Sequence, residues 1–362
     1  MDGTGTATER HVDAFRAMRE RRANRCIARS EPARWTRTSS GKRRCIFLFP
    51  RRKGHHSRAL TNQRIYESTN PAHPPRISVA IRLFVYSSIR LFALFLPKED
   101  KMKLGCQARS FGKGIYPSEA DFLSVVHQIG KLCFRGLEAN WKNLERYFQD
   151  PEAFKRILSE TNLELIGAHY GAAHWDESSR KQIRTEGDQI ADFVSAVGGQ
   201  YIVCSGRRPT QGTVSDEMWK KTAEGLNLLG EHCAPKGIQL AYHNHWWESE
   251  QEGLVKLAAY TEPSYVGFAF DTGHHIRAGK DAIALVRELS DRLHIIHLAD
   301  HSEDAAGHAV RPQLGTGVLD LSALRNAIEG FTGWLVLEEE NNAPSPEKQV
   351  AECIEVMRRL IK

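Results

Sequence analysis

From 265 to 275 the chain reads Tyr-Val-Gly-Phe-Ala-Phe-Asp-Thr-Gly-His-His. A short apolar run stops at an acid, a Thr-Gly turn and two imidazoles. The run has the length and residue types of a buried strand, and its end has those of a site. The same shape recurs on both sides. Upstream, 237–245 runs through Leu240 and Ala241 into Tyr242-His243-Asn244-His245. Downstream, Leu293–Leu298 leads into Ala299-Asp300-His301, and Trp334 to Leu337 leads into Glu338-Glu339-Glu340.

Counting outward from these gives eight candidate strands: Lys103–Gln107, 134–138, 163–169, 200–205, 237–244, 265–270, Leu293–Leu298 and 334–338. Amphipathic stretches follow them at 118–130, 143–160, 177–197, 215–234, 253–261, 280–289, 320–329 and 345–361. Ser118 followed by Asp121 reads as a helix cap. Pro151 fits a first helical turn better than an interior, so the second helix is expected to break there. Eight βα units in about 260 residues predict a closed (β/α)8 barrel over 102–362. An open doubly wound sheet would need a phosphate-binding glycine loop after a strand, and the chain has none.

Charge separates the barrel from what precedes it. Of 50 Lys and Arg and 44 Asp and Glu, residues 1–101 hold 22 basic against 8 acidic, and 18 of those 22 are Arg; 102–362 holds 28 against 36. The net charge of +6 therefore describes neither part, and nucleic-acid binding does not follow from it. Segment 1–76 has no sustained apolar period, and 1–101 is expected to be a disordered Arg-rich segment. The apolar stretch 77–97 is interrupted by Arg82 and Arg90, leaving no uncharged run beyond seven residues, so no membrane span is expected. A transit peptide suits the arginines but not Asp2, Glu9, Asp13 and Glu20. Met102 is expected to be the real start, with 1–101 an over-extended reading of the gene. The seven cysteines form no CxxC, which suits a reducing, cytoplasmic setting.

In such a barrel, function collects at the C-terminal strand ends. Glu138, His169, His243, His245, Asp271, His274, His297, Asp300 and Glu338 all stand there. Imidazoles and carboxylates around one opening are ligands for a divalent cation of the Mn, Co, Zn or Mg type. His243 and His245 share a strand face, and Asp271 and His274 flank a glycine turn. His294 falls at the wrong end, Glu339 points away from the interior, and Glu248, Glu250 and Glu252 read as a solvated loop. Trp246 and Trp247 could stack on a sugar or pack in the core. Arg207-Arg208 reads as a phosphate clamp or a solvated loop.

At these residues the sequence resembles the xylose isomerase-like TIM-barrel superfamily of sugar phosphate isomerases/epimerases. The pieces that carry the resemblance are Tyr242-His243-Asn244-His245, Asp271-Thr272-Gly273-His274, Ala278-Gly279-Lys280-Asp281, His297-Leu298-Ala299-Asp300, Gly315-Thr316-Gly317-Val318-Leu319-Asp320 and Trp334-Leu335-Val336-Leu337-Glu338. It covers nearly all of 102–362 and none of 1–101. It implies one divalent metal on His243, Asp271, His297 and Glu338, with substrate contacts from Glu138, His169 and His274. His243 replaces the Glu that many epimerases of the superfamily carry, which removes one of two acid/base carboxylates.

The implied chemistry is proton removal beside a carbonyl, with Glu338 as ligand and base, Glu340 as a weaker base, and His274 or His245 returning the proton. The leading expectation is a metal-dependent isomerase or epimerase acting on a sugar or polyol. An inosose-type dehydratase is the near rival, although Trp246-Trp247-Glu248 stands where that group has Met-Gly-Thr. An abasic-site endonuclease would need a strand-five Glu, an Asp-x-His pair and a basic surface, so no nucleic-acid partner is expected. A non-catalytic sugar-binding barrel would not need all four ligands. Oligomeric state is left open, a homo-oligomer included. Mass spectrometry of the native protein is expected to give no peptide upstream of Met102, and a single such peptide overturns that start.

Overall fold

The structure, a computed structural model, describes residues 102–209, 212–340 and 344–362, together with the backbone of 34–37 and 43–46. The chain divides into two units, Met1–Pro97 and Lys98–Lys362. In the first, Arg34–Arg37 pairs antiparallel with Arg43–Ile46, a short ladder where the sequence shows no regular period. The rest of 1–101, including the apolar stretch 77–97, lies outside the described residues. No helix among the described residues is long and apolar enough to cross a membrane.

The second unit is a closed barrel of eight parallel strands: β1 Lys103–Gln107, β2 Gly136–Asn140, β3 Glu164–Ala172, β4 Tyr201–Gly206, β5 Gln239–His243, β6 Val266–Asp271, β7 Leu293–Leu298 and β8 Trp334–Leu337. Each pairs with the next, and β8 closes on β1 with Trp334 opposite Lys103. This is the expected (β/α)8 TIM barrel, and no strand start departs from the sequence reading by more than two residues.

The helices follow for local reasons. Ser118 caps Glu119–Lys131 by accepting from the Asp121 amide at 3.1 Å. The second helical stretch is broken as Pro151 requires: one turn at Trp141–Leu144, a 3-10 turn, then Pro151–Thr161 behind an Asp150 cap. The sequence reading missed two short helices directly after β5 and β6, Trp246–Glu250 and Thr272–Arg277. It also missed a two-residue strand pair, Ser302–Glu303 with Ala309–Val310, in the loop after β7.

Two apolar layers hold the barrel. Ile166, Val203, Ala241, Ala269, Ile295, Trp334 and Val336 fill its inside. A larger cluster between strands and helices includes stacked Phe122 and Phe154 and tilted Phe193. Gly105 and Gly136 make room within: a Cβ on either would lie under 3 Å from Ile166.

One buried group sits outside this logic. His174, beyond β3, is fully buried with neither ring nitrogen hydrogen-bonded, its ring centre 6.4 Å from that of Tyr170. Burial pushes its pKa down to about 4. The unfolded chain binds the proton near pH 6.5, so this group's stabilisation is complete above that pH and is lost as pH falls toward 4. At pH 5 the loss is about 2 kcal/mol. His174→Leu is expected to flatten the acid limb of stability between pH 6.5 and 4, read by urea unfolding. An unchanged limb would show that the imidazole does not titrate as described.

Candidate metal centre

Strand periodicity builds the site. Side chains two residues apart share a face. Two positions beyond the inward residues Gly105, Gly136, Val203, Ala241, Ala269, Ile295 and Val336 stand Gln107, Glu138, Ser205, His243, Asp271, His297 and Glu338. On β3 a register shift opposite Leu137 and Glu138 brings His169 to the same level. All eight strands thus end their inner face on a polar residue, and the apolar plug becomes a polar ring within one layer.

Inside this ring, His297 lies between two carboxylates. Its Nε2 is 2.8 Å from Glu138 Oε2, and its Nδ1 is 2.5 Å from Glu338 Oε2. Glu138 Oε1 lies 3.3 Å from His169 Nδ1, and His169 Nε2 lies 3.2 Å from the Ser205 hydroxyl. His243 Nδ1 is 4.0 Å from Glu338 Oε2. Asp271 accepts from the His274 amide through Oδ1 at 2.5 Å, capping Thr272–Arg277 and leaving Oδ2 facing the ring.

Four buried atoms here lack a hydrogen bond aligned to any described group: His243 Nδ1, Asp271 Oδ2, His297 Nδ1 and Glu338 Oε2. Each of these four residues offers a ligand atom within 4.8 Å of the others. Lone pairs left unpaired in a buried site are costly unless a cation takes them. Two imidazoles and two carboxylates therefore fit a divalent metal. A second group, His243, His245 and His274, also brings one ligand atom each within 4.8 Å.

The electrostatics agree. Burial works against charge on His297, but Glu138 and Glu338 outweigh it and hold its pKa well above the usual imidazole value. Burial raises Glu338 too, yet His297 and His243 hold it well below the usual carboxylate range. Burial lifts Asp271 to about 6, Arg311 opposing and Glu338 adding to it.

Around the ring the outcome is mixed. Glu138, expected to touch substrate, is wholly buried with both oxygens on imidazoles. His274 is buried with its ring nitrogens 2.8 and 2.9 Å from Arg311 Nη2. His245 is partly exposed, its ring centre 5.2 Å from that of His274. Trp246 is partly exposed and faces Arg208 and Arg277, whereas Trp247 stacks on Trp219 in the core. Glu340 pairs with Arg109 at 2.9 Å and Arg311 at 3.1 Å, so it is no free base. Glu339 does point away from the interior and accepts from the Leu314 amide, Gln349 and Cys353.

Two residues escaped the sequence reading. Glu248, read as solvated, is wholly buried, accepting from the Tyr242 hydroxyl at 2.7 Å and the His245 amide at 2.5 Å. Arg311 enters from the loop after β7, its Nη1 3.9 Å from Asp271 Oδ2. The sequence did hold a signal for that loop. Buried Asp300 accepts from the amides of Gly315, Gly317 and Leu319, and a Cβ at Gly317 would lie 2.4 Å from its Oδ1.

Glu138→Gln keeps all four candidate ligands but loses the charge behind His297. Metal affinity is expected to fall roughly 10- to 100-fold, as for other partners behind a ligand. In the wild type, affinity should still rise with pH above 7, because the cation must displace the proton that Glu138 and Glu338 hold on His297, and should fall further below about 6 as Asp271 takes a proton. Competition titration with a metallochromic chelator reads both, and an affinity unchanged in Glu138→Gln would sink the positioning role.

Residues 123–360 match the family described as xylose isomerase-like TIM barrel. An inosose dehydratase of Clostridium perfringens (strain 13 / Type A) is 26% identical over 62% of this chain and 84% of its own length. One of Geobacillus thermodenitrificans (strain NG80-2) is 25% identical over 68% and 92%. Among solved structures, the IOLI protein with a binding zinc atom superposes with a TM-score of 0.61 at 16% identity, over 72% of this chain and 98% of that one. The 3-keto-D-glucoside 4-epimerase YcjR from E. coli gives 0.53 at 21%, over 72% and 100%. These structures share the fold. The chain belongs to the xylose isomerase-like TIM-barrel family.

Proposed function

We propose that the barrel removes a proton beside the carbonyl of a sugar or polyol ketone, and that loss of water from the neighbouring carbon follows. A divalent ion of the Mn, Co or Zn type suits the two-imidazole, two-carboxylate set on His243, Asp271, His297 and Glu338 better than Mg. Bound there, it would act as a Lewis acid toward the carbonyl and an adjacent hydroxyl.

The chain's own groups supply the proton handling. Glu338, held anionic by His297 and His243, takes the proton from carbon. His245, whose pKa Glu248 raises against the effect of burial, gives a proton to the departing β-hydroxyl, which leaves as water. Glu138 fixes the orientation of His297. Arg311 and His169 lie beside the ligands and bind substrate oxygens.

One observation carries the choice of elimination. At the end of β5 stands His243, buried and flanked by the rings of His245 and His274 at 5.3 and 5.9 Å. Reprotonation of carbon from the opposite face by a second carboxylate has no group at that position, whereas imidazoles suit a leaving hydroxyl. The relatives named inosose dehydratase support the same outcome. Sugar isomerisation or epimerisation is the second reading, in which His245 returns its proton to carbon instead of to a hydroxyl.

The test is incubation of the full-length, metal-loaded chain with an inosose and with ketohexoses in deuterated water. Expected are about one metal per chain by elemental analysis, deuterium uptake beside the carbonyl, and ultraviolet absorbance from the dehydrated inosose. Glu338→Gln should lower the rate by roughly 10² to 10⁴. Deuterium uptake with a rearranged ketohexose and no absorbance would move the assignment to the second reading. No metal under any loading would end both.

A further inference from the structure

Two guanidiniums converge on one indole at the mouth of the barrel. Arg208, just past β4, places its Cζ 5.5 Å from the Trp246 ring centre and 6.0 Å from that of Trp247. Arg277, which ends the helix after β6, lies 5.0 Å from Trp246. Trp246 follows His245, and His274 is one turn before Arg277 on the same helix, so the cluster adjoins the candidate metal centre.

Neither guanidinium is neutralised where the two converge. Arg109 and Arg311 share Glu340, and Arg180 pairs with Glu224. Among the described residues, neither Arg208 nor Arg277 has a carboxylate at ion-pair distance. The Arg208 Nη2 reaches only the Gly212 carbonyl oxygen at 3.5 Å, and its Nε is buried without a hydrogen bond. An indole face holds a guanidinium but leaves its charge and its N–H fork unspent.

We propose that Arg208 and Arg277, held on Trp246, form a subsite for an acidic group, phosphate or carboxylate, that the substrate carries away from its reacting carbon. The proposal rests on the reading of the metal centre as the reacting end and narrows its substrate to an anionic sugar or polyol ketone. Guanidiniums are the side chains that recognise such groups through paired N–H donors. The phosphate site common in this barrel type forms after strands seven and eight; this one is built by the loops after β4, β5 and β6. Trp246 then serves as a platform for arginines rather than as a stacking face for a neutral sugar.

Inorganic phosphate and acetate are the probes, titrated calorimetrically into the full-length chain. The variants are Arg208→Gln, Arg277→Gln and the double substitution, with thermal unfolding as the check on folding. Phosphate or acetate is expected to bind the wild type, and the double variant to bind about tenfold or more weakly, since one charge-assisted pair contributes ~1.5–3 kcal/mol. The tighter probe identifies the group. Equal affinity in wild type and double variant overturns the subsite. So does a wild-type kcat/KM for neutral ketohexoses as high as for their phosphates and sugar acids. Weakened anion binding in a chain that holds no metal would uphold the subsite and end the catalytic reading instead.

Discussion

His297 between two buried carboxylates is the interaction on which the mouth of this barrel depends. Without the imidazole, each carboxylate would be an uncompensated charge in a buried place, and removing one partner of such a pair costs about 3–5 kcal/mol. Together they fix the ring: Glu138 at Nε2 turns Nδ1 toward Glu338, His243 and Asp271. From Glu138 the same chain of contacts runs on to His169 and Ser205. A proton on His297 and a divalent cation beside it are alternative ways to neutralise this charge.

Why the polar groups meet at all is a matter of parity. Eight parallel strands point one way, and their side chains alternate, so a single step of two residues converts a layer of Ala, Val and Ile into one of Asp, Glu and His. The small inward residues Gly105 and Gly136 leave room in the lower layer for Ile166 and Trp334. Register shifts on β3 and β7 adjust the parity locally. The second puts His294 out of step, stacked on Tyr201 rather than in the ring above.

Most of this was legible because strand ends announce themselves. Apolar runs that stop at His243, Asp271, His297 and Glu338 place all four at one opening of a barrel, and the family resemblance singles them out from the other polar strand ends. What escaped depends on folding of loops over the mouth. Glu248 looks solvated in a stretch with Glu250 and Glu252, yet the helical turn begun at Trp246 carries it under Tyr242. Arg311 lies 14 residues beyond His297, and although Asp300 and the glycines at 315 and 317 mark its loop, their spacing does not tell that Asp300 gathers the amides of Gly315, Gly317 and Leu319 and that the loop returns over Asp271. Glu138 was found but given a different role, because sequence shows that a carboxylate reaches the ring without showing which face of His297 it meets.

Glu339 binds the final helix through Gln349 and Cys353, one residue from the ligand Glu338. Strand β8 is also the staple that closes the barrel between β7 and β1. The centre is thus completed by the strand that also closes the barrel, because β8 leads into Glu338 while the other three candidate ligands stand on β5, β6 and β7. Loosening Glu339 from Gln349 or Cys353 therefore disturbs the residue next to a ligand, which makes the closing helix a brace for the site as well as a wall of the fold.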